Sequence, residues 1–375
     1  MFYKKPSFKI FVSYVIARII LSTWMFVVRD LFPIPIDNSN FQIMHIPVET
    51  NPWFEPWQRW DTIHYQAIAI HGYESFDSAL FTPPLYPFLI RLITPITCNN
   101  SLYSALLISN IAFLISLFLL FKVAFFETGN ETVALKVIFI LLLYPVSFFF
   151  LAGYTESLFL LWTILMINSL QHQKWLVATI SIGLACLTRV TGFLLFIPFI
   201  YSVACQNKGN KQQKLIPYIF LAGLLYLIFP LYIYFGLKLP VTAIFQAVSR
   251  GGRIAFPGLN ILIAINQIIH GEMIYPNILE ICSIFLLMIL IRLGWKKYSM
   301  INRLLGVSFL FFYLIRLGNP QPLIGMARYT IVVLPIYFSL AEMKLNKPSQ
   351  KFLIILTLFL QLFLAGQFSI GGWVG

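Results

Sequence analysis

The sequence predicts an all-α, polytopic membrane protein. Of its 375 residues, 59% are hydrophobic and 10% are charged, whereas soluble domains carry about 25% charged residues. The chain has room for about eleven apolar helices of about 20 residues each, and for one substantial loop. Basic residues stand in short clusters between the apolar runs, so the net charge of +13 indicates membrane orientation rather than nucleic-acid binding. We therefore treat residues 1–375 as a single transmembrane domain.

Eleven apolar runs define the predicted spans. The first, 8–29, follows three lysines that place the N-terminus in the cytoplasm. The others are 101–122, 134–152, 156–171, 174–188, 190–205, 215–237, 274–293, 301–317, 327–343 and 350–370. Two further apolar stretches, 85–97 and 259–269, are too short to span. The first is expected to lie in the membrane interface or to re-enter the membrane, and the second to dip into the interface.

This topology gathers polar groups on one side of the membrane. Residues 30–100 form an outer loop that holds seven of the 13 acidic residues, while 16 of the 26 lysines and arginines fall inside. Eight of the nine basic residues placed outside are arginines. Because a guanidinium forms bidentate pairs with carboxylate and phosphate, this bias favours ion-paired or phosphate-binding roles over orientation.

The most informative motif is Arg59-Trp60-Asp61-Thr62-Ile63-His64-Tyr65 in the outer loop. Asp61 is expected to start a short helix and Gly72 to end it. Asp61 and His64 would then share one helix face, at a spacing of three. The alternative is that Asp61 only caps the helix while the aromatic residues form an interfacial belt.

Three more motifs fall at predicted outer span ends. Glu156 follows Gly153-Tyr154-Thr155, and we expect it to orient a substrate hydroxyl or to pair with an arginine. The alternative is that it only stabilises the positive end of the next helix. Arg189 stands in Leu187-Thr188-Arg189-Val190-Thr191-Gly192, where a membrane-depth arginine marks a partner or an anion. Arg328 precedes Tyr329 at the start of a span, and its alternative role is a snorkelling interfacial cation.

One carboxylate, several arginines and many aromatic rings suit the transfer of a sugar from a lipid phosphate. Asp61 would take the proton of an acceptor hydroxyl, with His64 positioning it or the acceptor. Arg189 and Arg328, with Arg316 behind them, would stabilise the departing phosphate. The sequence contains no Asp-x-Asp pair, so we expect neither a metal nor another cofactor.

Several of these residues resemble the motifs of the PIG-V family of GPI mannosyltransferases and their prokaryotic relatives. The matching segments are Arg59-Trp60-Asp61-x-x-His64-Tyr65-x-x-Ile68-Ala69-x-x-Gly72-Tyr73, Pro145-x-x-Phe148-Phe149-x-x-x-x-Tyr154-Thr155-Glu156-Ser157-Leu158-Phe159, Thr188-Arg189-x-Thr191-Gly192, and Arg328-Tyr329 followed by Pro335. The resemblance places the family's essential Trp-Asp pair on Trp60 and Asp61. It also makes Tyr65, Tyr154, Glu156 and Tyr329 candidates for substrate binding.

The resemblance implies a GT-C-type glycosyltransferase that takes a hexose, mannose in this family, from a polyprenyl-phosphate or dolichyl-phosphate donor. Such enzymes invert the anomeric carbon and act on a glycan or lipid-linked acceptor. A prokaryotic relative would sit in the cell membrane with its site facing outside. A eukaryotic one would sit in the endoplasmic reticulum membrane with its site facing the lumen.

Two other functions remain open from the sequence. A transporter or flippase of lipid-linked sugars would carry inverted repeats and ionisable residues near mid-membrane, and no repeat is visible in the sequence. A non-catalytic membrane subunit of a glycan assembly complex would tolerate the loss of Asp61. The expected partners are membrane lipid, the donor and the acceptor, and not nucleic acid.

Overall fold

The structure, a computed structural model, describes residues 5–34, 39–73, 82–205, 210–240, 242–243 and 253–374. These residues are mostly helical, as the sequence predicts. The helices are α1 (Pro6–Leu31), α2 (Ser39–Ile43), α3 (Asp61–His71), α4 (Leu85–Ile93), α5 (Ser101–Thr128), α6 (Glu131–Leu143), α7 (Glu156–Gln171), α8 (Trp175–Thr188), α9 (Phe196–Ala204), α10 (Asn210–Leu231), α11 (Leu259–Ile269), α12 (Ile274–Gly294), α13 (Met300–Ile315), α14 (Met326–Tyr329), α15 (Pro335–Ala341) and α16 (Lys347–Ser369). Arg253–Ile254 and Arg316–Leu317 form short strands β1 and β2.

Within the described residues, five helical segments are long and apolar enough to cross a membrane. They are Pro6–Leu31, Ser101–Thr128, Leu215–Gly236, Ile274–Gly294 and Lys347–Ser369. Five shorter apolar helical segments accompany them: Leu85–Ile96, Trp175–Thr188, Val190–Ala204, Leu259–Ile269 and Met300–Ile315. The chain is an integral membrane protein, and the predicted count of eleven spans stays a prediction.

Two predicted spans are broken at prolines, which corrects the sequence interpretation. The span 134–152 ends as a helix at Leu143, because Tyr144 precedes Pro145 and adopts extended angles of φ −63° and ψ 135°. A separate 3₁₀ turn, Ser147–Phe150, follows. The span 327–343 divides into α14, a 3₁₀ turn at Thr330–Val332, and α15, which begins at Pro335.

Two other spans keep their positions but change helix type. The span 190–205 begins as a 3₁₀ helix, Val190–Leu195, before α9. The span 215–237 ends as a π-helix, Tyr232–Gly236, just after Pro230. A proline inside a helix removes one backbone donor, and a local change of helical pitch accommodates that loss.

The contacts of the chain define two compact units. The first contains Met1–Gly72, Pro87–Leu158 and Leu340–Val374; the second contains Tyr73–Tyr86 and Phe159–Ser339. In the first unit α1 packs on α16, where the Trp24 indole donates a hydrogen bond to the Leu362 carbonyl oxygen at 2.6 Å. The Gln361 amide donates to the Leu142 carbonyl oxygen at 2.8 Å and so satisfies the end of α6.

In the second unit α8 packs on α10, and β1 pairs with β2 in antiparallel register. The Asn260 amide donates hydrogen bonds to the carbonyl oxygens of Tyr313 (2.7 Å) and Arg316 (2.8 Å). These bonds fix the backbone where α13 ends and Arg316 begins. Arg250, Gly251 and Gly252, which precede β1 in the sequence, lie outside the described residues.

Candidate active site

The Asp61 motif begins with an unusual backbone conformation at Trp60. Trp60 has φ 51° and ψ −120°, and α3 starts at the next residue. A positive φ at a bulky residue costs about 1–3 kcal/mol. The helix starts at Asp61 as predicted, and the N-cap residue is Trp60, which contradicts the alternative in which Asp61 only caps the helix. The predicted end is confirmed, since the Gly72 N–H donates to the Ile68 carbonyl oxygen at 2.9 Å.

The Asp61 side chain is 4% exposed and stands in the first turn of α3. The positive end of the helix dipole favours a carboxylate at this position. His64 is half-buried and Tyr65 is buried on the same helix. Trp60 is 40% exposed, and its ring meets the Trp373 ring edge-to-face at 5.5 Å.

Arg59 ties this segment to the end of α16. Its Nε and Nη2 donate to the Ser369 carbonyl oxygen at 3.1 and 2.8 Å, and Nη2 also binds the Glu55 carboxylate at 2.6 Å. Burial lowers the pKa of the Arg59 guanidinium, and the Glu55 carboxylate opposes that shift. A cation at a helix C-terminus stabilises the exposed carbonyl groups, so Arg59 has a structural role.

The second motif packs directly on the first. The Tyr154 hydroxyl donates to the Arg59 carbonyl oxygen at 3.3 Å, and the Tyr154 ring meets the Tyr65 ring edge-to-face at 6.0 Å. A Cβ atom at Gly153 would lie 3.0 Å from the Thr62 side chain. This close approach explains why glycine suits position 153.

Glu156 is the first residue of α7, and its side chain is fully buried. Beside it, the Ser157 hydroxyl donates to the Phe150 carbonyl oxygen at 2.5 Å. The carboxylate thus lies at the positive end of a helix. Its proposed contact with a sugar hydroxyl or an arginine stays a prediction.

The third and fourth motifs meet at the ring of Tyr329 in the second unit. The guanidinium carbons of Arg189, Arg328 and Arg316 lie 4.9, 5.1 and 5.2 Å from its centroid. Each of these distances is within the range of a cation–π interaction. Arg328 and Arg316 are buried, whereas Arg189 and Tyr329 are half-buried. We call Arg189, Arg316, Arg328 and Tyr329 the arginine cluster.

The local backbone explains how these arginines converge. Arg189 follows the last residue of α8, and the Gly192 N–H donates to its carbonyl oxygen at 2.9 Å. A Cβ atom at Gly192 would lie 2.6 Å from the Cys186 backbone, so only glycine allows this turn. Arg316 donates from Nη1 to the Ile324 carbonyl oxygen at 2.7 Å, which ties it to the loop that leads to Arg328.

Sequence reasoning missed Glu280, a fully buried carboxylate in α12. Its Oε1 accepts a hydrogen bond from the Gly325 N–H at 3.0 Å, and its Oε2 accepts a short one from the Ala327 N–H. Because Ala327 directly precedes Arg328, these bonds hold Glu280 beside the arginine cluster. A lone acid inside an apolar span is the signal that would have revealed it.

The arginine cluster carries three formal positive charges, and Glu280 carries one formal negative charge. A site with this excess of positive charge suits an anion such as a phosphate. Among the described residues, no group of three or more His, Cys, Asp or Glu side chains could hold a metal ion.

The known proteins that are similar to this chain in sequence are mannosyltransferases. Residues 82–234 match the family described as dolichyl-phosphate-mannose-protein mannosyltransferase. The chain is 30% identical to GPI mannosyltransferase 2 of Yarrowia lipolytica over 112 residues, which cover 30% of this chain and 31% of that protein. It is 28% identical to GPI alpha-1,6-mannosyltransferase 2 of Homo sapiens over 226 residues, covering 52% and 45% respectively. The chain thus aligns with less than half the length of each curated relative.

Two solved structures are similar over most of this chain. ArnT from Cupriavidus metallidurans, bound to undecaprenyl phosphate, has a TM-score of 0.49 and 14% identity, covering 91% of this chain and 61% of that one. The Archaeoglobus fulgidus oligosaccharyltransferase, tethered to an acceptor peptide, has a TM-score of 0.44 and 13% identity, covering 96% and 56%.

Proposed function

We propose that this chain, which is similar in sequence to GPI mannosyltransferase 2, transfers a hexose from a polyprenyl-phosphate donor. The hexose would be mannose, as in the relatives, and the acceptor a glycan or lipid-linked hydroxyl on the outer side of the membrane. The observation that carries this proposal is the convergence of Arg189, Arg316 and Arg328 on the ring of Tyr329.

The arginine cluster supplies the electrostatic part of the reaction. When the bond between the anomeric carbon and the phosphate oxygen breaks, its electron pair stays on that oxygen. The phosphate thereby changes from a diester with one negative charge to a monoester with more. Guanidinium groups held in place before the reaction stabilise this developing charge without reorganising. The phosphate therefore leaves without being protonated.

Asp61 supplies the proton transfer. The acceptor oxygen attacks the anomeric carbon from the face opposite the phosphate, so the product has the inverted configuration. Its proton passes to the Asp61 carboxylate as the new bond forms. The buried setting of Asp61 and the strained Trp60 before it support this role, because strained residues cluster at active sites.

A transfer assay tests the proposal. The purified chain is incubated with polyprenyl-phosphate mannose, labelled in the sugar, and with a membrane lipid extract as acceptor source. We expect label in a new glycolipid whose mannose has the anomeric configuration opposite to the donor. A transporter would move the donor across vesicle membranes without forming this product. A non-catalytic subunit would transfer no label alone and would tolerate Asp61→Asn in cells.

The side of the membrane is tested with two natural cysteines. Cys98 and Cys205 are both free and exposed, and the topology places them on opposite sides. Variants in which Cys98 or Cys205 is the only cysteine, with Cys186 and Cys282 also replaced, are treated with a membrane-impermeant maleimide in intact cells. We expect labelling of Cys98, and labelling of Cys205 only after lysis. The reverse pattern would overturn the outer-side assignment.

A further inference from the structure

A cavity of about 430 Å³ lies in the first unit, where the last turn of α1 meets the outer loop. Arg29 and Asp30 of α1 line one side, and Val48, Glu49 and Glu55 of the loop line another. The volume is within the range of small-molecule pockets, about 300–1,000 Å³. Because α1 is a membrane-length helix, its end brings the cavity to the level of the membrane surface.

The charge of the cavity excludes a phosphate. Its lining carries one cation, Arg29, and three carboxylates, Asp30, Glu49 and Glu55, a formal excess of two negative charges. The net formal charge of the arginine cluster together with Glu280 is positive, opposite to that of the cavity. A polyprenyl phosphate is thus repelled here, and an uncharged or cationic polar molecule is favoured.

Hydrogen bonds within the protein hold the charged groups of the cavity wall in place. Arg29 Nε binds Glu55 Oε2 at 3.2 Å, and Arg29 Nη1 donates to the Ile34 carbonyl oxygen at 2.6 Å. Glu49 accepts the Asn51 N–H at 2.9 Å and the Asn100 amide at 2.7 Å. Groups held in this way lose little entropy when a ligand binds.

The lining matches the surface of a sugar ring. Carboxylates accept hydrogen bonds from hydroxyl groups, and a guanidinium donates to them. Phe26 lines the cavity and stacks on Trp53 with ring centroids 4.5 Å apart and planes 9° apart, so the apolar ring that can meet sugar C–H groups is held in place. Asp30 and Val48 are exposed at its edge.

One ion-pair chain links the cavity to the Asp61 motif. Glu55 binds Arg29 in the cavity wall and Arg59 two residues before Asp61, at 3.2 and 2.6 Å. We propose that this cavity binds a sugar of the acceptor glycan, one without phosphate or carboxylate substituents. This inference rests on the proposed transferase function, and it assigns the acceptor side of that reaction.

A binding experiment tests the cavity without requiring activity. The full chain in lipid nanodiscs is titrated calorimetrically with octyl mannoside, with its 6-phosphate, and with a sugar-free octyl ether of tetraethylene glycol. We expect binding of octyl mannoside and at least tenfold weaker binding of the other two. Equal binding of the phosphorylated and neutral mannosides would overturn the proposal.

Two variants locate the binding. Val48→Trp fills the cavity from an exposed position. Asp30→Asn removes a carboxylate, and hydrogen bonds to charged groups are stronger than those to neutral ones. Each variant should weaken the binding of octyl mannoside at least about fivefold. Val177→Trp, at another exposed valine outside the cavity, and Glu272→Gln, at an exposed turn, are the matched controls. Unchanged binding in both cavity variants would overturn the assignment.

The transfer assay separates this inference from the proposed function. With the membrane extract as acceptor, Val48→Trp and Asp30→Asn should raise the acceptor KM and leave the donor KM within about twofold. A raised donor KM with an unchanged acceptor KM would overturn the acceptor assignment. A wild-type chain that binds octyl mannoside but transfers no sugar would refute the transferase while leaving the cavity as a sugar site.

Discussion

The Tyr154 hydroxyl donates a hydrogen bond to the main-chain carbonyl oxygen of Arg59 at 3.3 Å, joining residues 95 positions apart in the sequence. The Arg59 side chain is itself held by Glu55 and by the end of α16. Hydrogen bonds therefore hold both the backbone and the side chain of Arg59, the residue that precedes Trp60 and Asp61. Such support is what a catalytic carboxylate needs to keep its position within a fraction of an ångström.

This bond predicts that Tyr154→Phe lowers the transfer rate at least about tenfold through misplacement of Asp61. The free energy of unfolding should fall by about 1 kcal/mol, since one buried acceptor loses its donor. Initial transfer rates and thermal unfolding of the purified variant measure the two effects. Tyr14→Phe, which removes a hydroxyl bound to Asn110 at 3.0 Å in the same unit, is the control and should keep full activity. Equal activity of the two variants would refute the positioning role.

The sequence predicts helix starts well where a local signal fixes them. The helices that begin at Ser101, Glu156 and Ile274 start where the apolar runs at 101, 156 and 274 place them. Asn100 explains the first case, because its side chain accepts the N–H groups of Leu102 and Tyr103. Pro145 and Pro335 are also local signals, since each predicts a break in a helix. Each lies inside a hydrophobic run, however, and the run by itself predicts one continuous span.

The sequence likewise predicts some features of the candidate site and not others. Its residues Asp61, Arg189 and Arg328 were recognisable from their polar character in apolar surroundings. The convergence of three arginines on Tyr329 was not, because Arg189 is 140 positions before Tyr329 and only tertiary packing joins them. Glu280 was missed for a related reason: its partners are backbone N–H groups of a distant loop, which no side-chain motif indicates.

The arginine cluster predicts a loss of donor affinity in Arg189→Lys and Arg328→Lys. Lysine keeps the charge but lacks the planar fork that pairs with phosphate and stacks on Tyr329. We expect the donor KM to rise roughly tenfold in each variant, with the acceptor KM unchanged. Arg303→Lys is the matched control, because Arg303 also faces a ring, that of Trp295 at 5.8 Å, outside the cluster. An unchanged donor KM in both cluster variants would contradict a phosphate-binding role.

Glu280 is predicted to position the start of α14, the helix that carries Arg328. Glu280→Gln keeps the shape of the side chain but retains only one acceptor oxygen for the N–H groups of Gly325 and Ala327. We expect the free energy of unfolding to fall by about 1–3 kcal/mol and the donor KM to rise. Ser339→Ala, which removes a hydroxyl bound to Leu290 of the same helix at 2.8 Å, should lower stability alone. Parallel changes in the two variants would mean that Glu280 serves only the fold.

The sharpest prediction concerns Asp61, which the structure places one residue inside the helix rather than at its N-cap. In Asp61→Asn the side chain keeps its size and loses its charge, so the free energy of unfolding should fall by no more than about 1 kcal/mol. Transfer should fall at least about a hundredfold, because no carboxylate is left to take the proton of the acceptor hydroxyl. Asp61→Glu should also be impaired, since one added methylene group moves the carboxylate by about an ångström.

Glu131→Gln is the matched control for this change. Glu131 is the first residue of α6, exposed, so its substitution removes a carboxylate from the same position of a different helix. It should reproduce any small loss of stability while leaving transfer intact. Initial rates, thermal unfolding and donor affinity are measured for all three variants. Near-native transfer by Asp61→Asn would remove Asp61 as the base and make the buried Glu156 carboxylate, at the start of α7, the next candidate.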